Sequence, residues 1–253
     1  MPKTFVLIPT RMESSRLPGK PMKLIGGLPM IVMIAKRVME AENVTAVVCT
    51  DSAEIIYACS RHSILVCNTC DKHKNGTERI AEAANIMSIS EDDIIIDVQG
   101  DEPFVTPSQI HAVRDFISNS TYKCVVPFQL MNEYQNLNRV KIVNNNNDVI
   151  YFSRADVPVI FSDVARPLKK HLSIIGFRKS ALEYFLNTPP TKLEILEQIE
   201  LMRLIENKVL IGTFELPGLS LSVDTQEDYE KARRMMKNDD LYRKMNSSGA
   251  LNG

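Results

Sequence analysis

The chain has 253 residues, 44% hydrophobic and 24% charged, an ordinary globular composition with length enough to bury a full core. Its 30 basic and 31 acidic residues leave a net charge of −1, which gives no sign of a nucleic-acid footprint, so no nucleic-acid partner is expected and a site for an anionic substrate must be built locally. No apolar stretch approaches membrane-spanning length and no secretory signal precedes the first strand, so a cytoplasmic location is expected; the five cysteines, an odd number, read as reduced thiols.

In chain order, the apolar run Val6-Leu7-Ile8-Pro9 reads as a buried strand. The loop behind it carries Arg11, Arg16 and Lys20, the hydroxyls of Ser14 and Ser15, and Gly19. At the carboxyl end of a central parallel strand, such a loop can aim backbone N–H groups at a polyphosphate while its cations offset the charge. It is not a Walker loop, because Pro21 stands where a Ser or Thr would hold magnesium and the upstream glycine is missing. A solvated basic surface loop is the competing reading, and cations that come straight off an apolar strand around a Pro-Gly turn favour the phosphate site.

Residues 24–29 read as a turn, with Pro29 at the first position of a helix to about residue 41. A strand over 44–49 leads into Thr50-Asp51-Ser52, which can cap a helix over 53–60, and a short strand follows over 64–67. Cys67, Cys70 and His73 lack the second cysteine pair of a tetrahedral zinc set, so no metal or redox role is expected for them. A polar loop over 71–76 opens a helix near Thr77 that carries Arg79. Ile94-Ile95-Ile96-Asp97-Val98 is a further strand, ending in Gln99-Gly100-Asp101-Glu102-Pro103, and Pro107 starts a helix to about residue 118. This alternation predicts a doubly wound, mostly parallel α/β sheet.

From residue 123 the rhythm changes. Strands are expected over 125–130 and 139–143, a hairpin turn over 144–148, a return strand over 149–152 and another strand over 171–177. Residues 123–177 therefore read as an antiparallel excursion suited to an acceptor site or a homodimer interface. A helix over 179–186 follows, then an amphipathic helix over 191–206 with Leu193, Leu196, Ile199 and Met202 on its apolar stripe. After a strand near 209–215 come Val223-Asp224-Thr225 and a last helix over 226–237. Residues 1–237 read as one domain and 238–253 as a flexible tail.

Asp101 and Asp224 each stand at a strand-to-turn junction. If both strands are central, both carboxylates join the basic loop on one sheet edge, where Mg²⁺ needs one or two carboxylates plus substrate phosphates and water. For either acid alone the competing reading is a helix cap. Arg154 and His171 read either as solvated edge charges or as groups that recognise an acidic acceptor, since arginine forks onto carboxylates.

Ile8-Pro9-Thr10-Arg11, Ser15-Arg16-Leu17-Pro18-Gly19-Lys20-Pro21, Gly76-Thr77-Glu78-Arg79, Val98-Gln99-Gly100-Asp101-Glu102-Pro103, Tyr151-Phe152-Ser153-Arg154 and Val223-Asp224-Thr225 occur in one order. Together they resemble the 3-deoxy-manno-octulosonate (Kdo) cytidylyltransferases from residue 5 to about 236. The resemblance implies a Rossmann-like nucleotidyltransferase that joins CMP from CTP to an acidic sugar with Mg²⁺, releasing pyrophosphate, for lipopolysaccharide or capsule. It implies that Arg11, Ser15, Arg16 and Lys20 hold the triphosphate, that Arg79 helps with the nucleotide, and that Asp101 and Asp224 bind Mg²⁺. Gln99, Arg154 and His171 fall where the family contacts the sugar acid.

The chain departs from the pattern at Ile175, where the family usually has tyrosine, at Leu201, where it has glutamine, and at Asn75, where serine is common. The first two are expected to remove polar groups facing the sugar. Two rival readings follow: a cytidylyltransferase for a different acid, and a CTP-binding regulatory homologue without turnover.

Overall fold

The computed structural model of the protein describes residues 2–14, 16–159 and 166–251. In its first half, strands and helices alternate: β1 (Thr4–Pro9), a 3-10 turn (Lys20–Met22), the small hairpin β2 (Leu24–Ile25) and β3 (Leu28–Pro29), α1 (Met30–Met39), β4 (Thr45–Thr50), α2 (Ala53–Ser60), β5 (Leu65–Asn68), α3 (Gly76–Ile86), β6 (Ile94–Val98) and α4 (Pro107–Ser118). The second half runs through β7 (Cys124–Val125), β8 (Phe128–Met131), β9 (Lys141–Asn145), β10 (Asp148–Ser153), β11 (Leu168–His171), β12 (Ile174–Arg178), α5 (Lys179–Asn187), α6 (Lys192–Glu197), α7 (Met202–Glu206), β13 (Ile211–Gly212), α8 (Gln226–Met236) and α9 (Asp240–Ser247).

Eleven strands form one mixed sheet in the order β5-β4-β1-β6-β12-β7-β13-β10-β9-β11-β8. The first four are parallel, and β12 then pairs antiparallel with β6. Because strand residues alternate between faces, Val6 and Ile8 enter one core with α1 and α4 while Leu7 enters the other with α3 and α5. Burial on both faces is why β1 and β6 read as mostly apolar runs, broken in β6 by Asp97. The chain winds from β1 out to β4 and β5 on one side and then returns to place β6 on the other. The resulting crevice at the carboxyl ends of β1 and β6 is the place where open α/β sheets take ligands. No helix among the described residues is long and apolar enough to cross a membrane.

Helix starts follow the sequence closely: Ser52, Asn75, Thr106 and Thr225 each accept a backbone N–H at the cap. Asn75 accepts from Glu78 N–H at 2.8 Å, so its departure from serine preserves the cap. Three strand expectations need correction. The strand over 125–130 divides into β7 and β8 around Pro127, which has no N–H for the ladder. The strand over 171–177 divides into β11 and β12, and that over 209–215 is reduced to β13.

The helix over 191–206 is also broken. Gln198 adopts a left-handed φ of 52° between α6 and α7. Tertiary bonds override propensity here, because the Glu197 carboxylate accepts Ser153 Oγ–H at 2.9 Å and Arg154 N–H at 2.9 Å, while Arg154 holds the Glu197 and Gln198 carbonyls.

The expected tail is the largest difference. Residues 240–247 form α9, which is tied to α1 and buries Met245. Arg37, 0% exposed, donates to the carbonyls of Val105 and Phe104 and to Asp239 at 2.6 Å, and Asp239 caps α9 through Tyr242 N–H at 2.7 Å. Lys36 Nζ reaches the Ala250 carbonyl at 2.7 Å. A polar stretch with few apolar anchors gives little sign of such docking. Asp239→Ala leaves a buried guanidinium without its counter-charge and should cost about 3–5 kcal/mol in urea unfolding. A change within about 0.5 kcal/mol, the usual surface range, would return this segment to a loosely held tail.

Candidate active site

A cavity of about 300 Å³ opens at the β1–β6 crevice, and Arg11, Arg16, Lys20, Arg79, Gln99, Asp101 and Asp224 all line it. Gly19, with φ of 65°, turns the loop into the 3-10 segment that carries Lys20, a conformation that other residues adopt only with strain. Lys20 Nζ donates to Asp101 at 2.7 Å and to Asp224 at 3.3 Å, and Arg16 donates to Asp224 at 3.1 Å. Burial opposes the Lys20 charge, but the two carboxylates outweigh it and hold its pKa above the ordinary lysine value. Arg11 is exposed at the rim, and Ser15 lies outside the described residues.

Local structure explains why two acids far apart in sequence meet. Val223 N–H donates to the Asp101 carbonyl at 2.9 Å, and the Ser222 hydroxyl bonds the Glu102 carboxylate. Gly100 permits the close approach of β6 to β1, since a Cβ there would stand 2.9 Å from the Pro9 carbonyl oxygen. Neither acid is a helix cap: Thr106 caps α4 and Thr225 caps α8, which leaves both carboxylates for the cavity. The buried guanidinium of Arg79 is tied to Asp51 at 3.0 Å and Thr69 Oγ1 at 2.6 Å, so it braces the wall.

Asp101 and Asp224 both meet the Lys20 ammonium, and two carboxylates side by side are the number Mg²⁺ would need where phosphates and water fill its other positions. Among the described residues no group of three or more His, Cys, Asp or Glu side chains gathers as a metal site. All five cysteines are free thiols, and burial first, then the Glu82 charge, push Cys67 up.

A second cavity of about 180 Å³ shares Gln99, Asp101 and Asp224 with the first and adds Arg139, Lys170 and His171. His171 stands edge-on to Phe152, and burial, with the Lys170 and Arg154 charges, pushes its pKa down to about 4, so it is neutral near pH 7. Arg154, expected at the acceptor, lines neither cavity: its guanidinium donates to the carbonyls of Glu197, Leu137 and Gln198 at 2.7, 3.0 and 3.0 Å. The arginine in this wall is Arg139, which lies where the sequence predicts only a strand over 139–143. Ile175 and Leu201 also line neither cavity; both are buried in one apolar cluster with Phe177 and Met202, so their side chains pack the core.

Asp97 and Glu200 are two further acids for which the sequence predicts no site role. Asp97 is fully buried, accepts Gln99 Nε2–H at 2.7 Å, and leaves its Oδ1 without a partner. Burial, then the Glu200 charge, raise it well above the usual carboxylate range. Glu200 is pushed up to about 7, chiefly by burial, although Thr77 N–H donates to it. A carboxyl inside the run Ile94-Ile95-Ile96-Asp97-Val98 was the available signal, since a strand buried on both faces has no solvent for it.

These raised values set a pH dependence. Between about pH 5 and 7 the folded protein keeps the Glu200 proton while the unfolded chain has lost it, so this group stabilises at low pH and the contribution fades as pH rises through 7. Glu200→Gln should therefore gain Tm relative to wild type progressively from pH 5 to 7.5. A Tm difference that stays constant across that range would place the carboxyl in solvent.

A model of the family described as cytidylyltransferase matches residues 5–211. A 3-deoxy-manno-octulosonate cytidylyltransferase from Polynucleobacter necessarius is 34% identical, covering 93% of this chain and 96% of its own. A 3-deoxy-manno-octulosonate cytidylyltransferase 2 from Actinobacillus pleuropneumoniae is 35% identical, covering 93% and 99%. The solved structure of a CMP:2-keto-3-deoxy-manno-octonic acid synthetase complexed with CTP superposes with a TM-score of 0.86 at 30% identity, covering 93% of this chain and 99% of that one. The chain belongs to the cytidylyltransferase family, among the 3-deoxy-manno-octulosonate cytidylyltransferases.

Proposed function

We propose that the protein transfers CMP from CTP to the anomeric hydroxyl of Kdo, releasing pyrophosphate. The observation that carries this reading is the convergence of Lys20, Asp101 and Asp224 at the switch-point crevice, beside a second cavity with Arg139 and Lys170 in its wall. In it, Arg11, Ser15, Arg16 and Lys20 take the triphosphate, and Asp101 and Asp224 would hold Mg²⁺, which supplies charge neutralisation at the phosphates. Transfer between an alcohol and a phosphoanhydride depends mainly on alignment and neutralised charge, which a cavity with fixed cations supports. Gln99 and neutral His171 offer hydrogen bonds to sugar hydroxyls, and Arg139 and Lys170 attract the sugar carboxylate.

The test is pyrophosphate release from CTP with Kdo and with a panel of other sugar acids. Kdo should give the highest kcat/KM, and no release with any acid would favour a regulatory homologue. Arg139→Ala should raise KM for the acid by about tenfold or more, as loss of a charged hydrogen bond predicts, while KM for CTP stays within twofold. Equal changes in both would remove Arg139 from the acceptor side.

A homodimer is part of the proposal, supported by exposed apolar side chains on and beside the antiparallel excursion, with Leu137 65%, Ile150 54% and Val159 70% exposed. Light scattering that returns the 28.6 kDa monomer mass would reject it. The cytoplasm, where nucleoside triphosphates are made, is the proposed location.

A further inference from the structure

Asp97 lies in β6, where it pairs across the sheet with Leu7 of β1 and Ile175 of β12, both members of one apolar cluster. The titratable groups around it are the thiols of Cys49 and Cys124 and the carboxyls of Glu200 and Asp101. Its Oδ1 is buried without a partner. An apolar side chain at this position would meet Leu7 and Ile175 and leave nothing unpaired, so the acid weakens the fold where it stands. The one side-chain hydrogen bond that Asp97 makes among the described residues goes to Gln99.

That bond fixes an amide at the centre of the site. Gln99 Nε2 donates to Asp97 Oδ2 at 2.7 Å, and Gly76, at the start of α3, leaves room for the amide beside it. A Cβ at Gly76 would stand 2.9 Å from Gln99 Nε2 and 3.2 Å from its Oε1. Oε1 itself makes no hydrogen bond among the described residues, yet it is not one of the buried polar atoms left without a partner, so it reaches open space. The open space that Gln99 lines is the two cavities. Of the described residues only Gln99, Asp101 and Asp224 line both, which puts this amide at their junction.

We propose that Asp97 is a positioning residue for the acceptor: it holds the Gln99 amide so that Oε1 stands at the junction of the two cavities and accepts a hydroxyl of the sugar acid. The inference rests on the proposed transfer to a sugar acid. A glutamine without such a partner rotates freely about its side-chain bonds and can turn either end of its amide to the substrate. Ordering it on binding weakens the complex, whereas a side chain already held in place avoids that loss. Stability given up for a fixed geometry is a common feature of functional sites, and it accounts for an acid in the middle of an apolar strand. Asp97 acts only through Gln99.

The experiment measures kcat/KM for Kdo, KM for CTP, and Tm at pH 7.5 for wild type, Asp97→Val, Asp97→Ala, Asp97→Asn, Gln99→Leu and the double variant Asp97→Val/Gln99→Leu. Asp97→Val should lower kcat/KM for Kdo at least about tenfold and leave KM for CTP within about twofold, while its Tm rises because a buried unpaired oxygen is gone. Asp97→Ala removes the same bond without adding volume and should show the same loss for Kdo, so a packing defect in one variant does not decide the result. Asp97→Asn, whose amide oxygen can still accept from Gln99, should recover most of that loss. Gln99→Leu should lose at least as much as Asp97→Val, and the double variant no more than Gln99→Leu alone, because the two residues act as one unit. An undiminished effect of Asp97→Val on the Gln99→Leu background would overturn the proposal. So would a lowered Tm with Kdo and CTP weakened alike, or a kcat/KM for Kdo near wild type in either folded variant that lacks the bond. Wild type that releases pyrophosphate with no sugar acid would instead overturn the proposed function, and this inference with it.

Discussion

Asp101→Asn is expected to lower pyrophosphate release by about two to four orders of magnitude while the protein stays folded. A bound divalent ion contributes several kcal/mol of charge stabilisation during transfer, and each 1.4 kcal/mol is a factor of ten in rate. On the proposed reading Asp101 and Asp224 would hold that ion, so removing one of the two carboxylates that meet at Lys20 takes away half of the charge they offer it. The fold should survive for local reasons. Lys20 keeps Asp224 at 3.3 Å, so its ammonium is not left unpaired, and Val223 N–H bonds the backbone carbonyl of residue 101, which the substitution leaves in place. Release kinetics and Tm on the same preparation check both halves. Turnover near wild type from a folded variant would remove Asp101 from the metal site.

The contrast with Asp239 and Asp97 shows what the sequence could and could not carry. Asp101 is legible because it lies in the Gly-bearing turn that follows a mostly apolar strand, and such a strand is buried whatever surrounds it. Helix starts are legible for the same reason, since the Ser, Asn or Thr at each cap satisfies a local N–H. Asp224 and Thr225 are both cap formers; a capping box with Asp228 makes Thr225 the cap of α8, while Lys20 and Arg16 take the Asp224 carboxylate. Long side chains are the hardest to place. Arg154 and Arg139 look alike in sequence, but the break at Gln198 gives Arg154 three carbonyls to hold and leaves Arg139 in the cavity wall. Ile175 pairs across the sheet with Asp97, a neighbour set by β12 lying antiparallel to β6, and no local pattern announces that pairing. The docking of α9 depends on Arg37, two hundred residues earlier. For Arg154, Ile175 and α9 the deciding contact is long-range, whereas propensity and periodicity report only neighbours along the chain.

Lys20→Ala is the second large effect, and it should appear in kcat. Lys20 sits between Asp101 and Asp224 with its side chain 15% exposed, so its ammonium acts where water screens little. A cation that met substrate and transition state equally would change KM alone. One that meets charge growing on the departing pyrophosphate lowers kcat when it is removed. Loss of a single preorganised donor of this kind costs about 10²–10³ in kcat. Lys20→Arg should not rescue the loss, because a planar fork cannot take the place of a compact ammonium held at 2.7 and 3.3 Å by two separate carboxylates. Removing the cation also leaves those carboxylates facing each other without their shared counter-charge, so the Mg²⁺ concentration at half-maximal rate should fall in Lys20→Ala, whereas Asp101→Asn should raise it. The measurement is kcat at saturating CTP across a Mg²⁺ titration, for wild type, Lys20→Ala and Lys20→Arg. An unchanged kcat in Lys20→Ala, with only KM for CTP raised, would make Lys20 a group that binds the ground state and takes no part in the transfer.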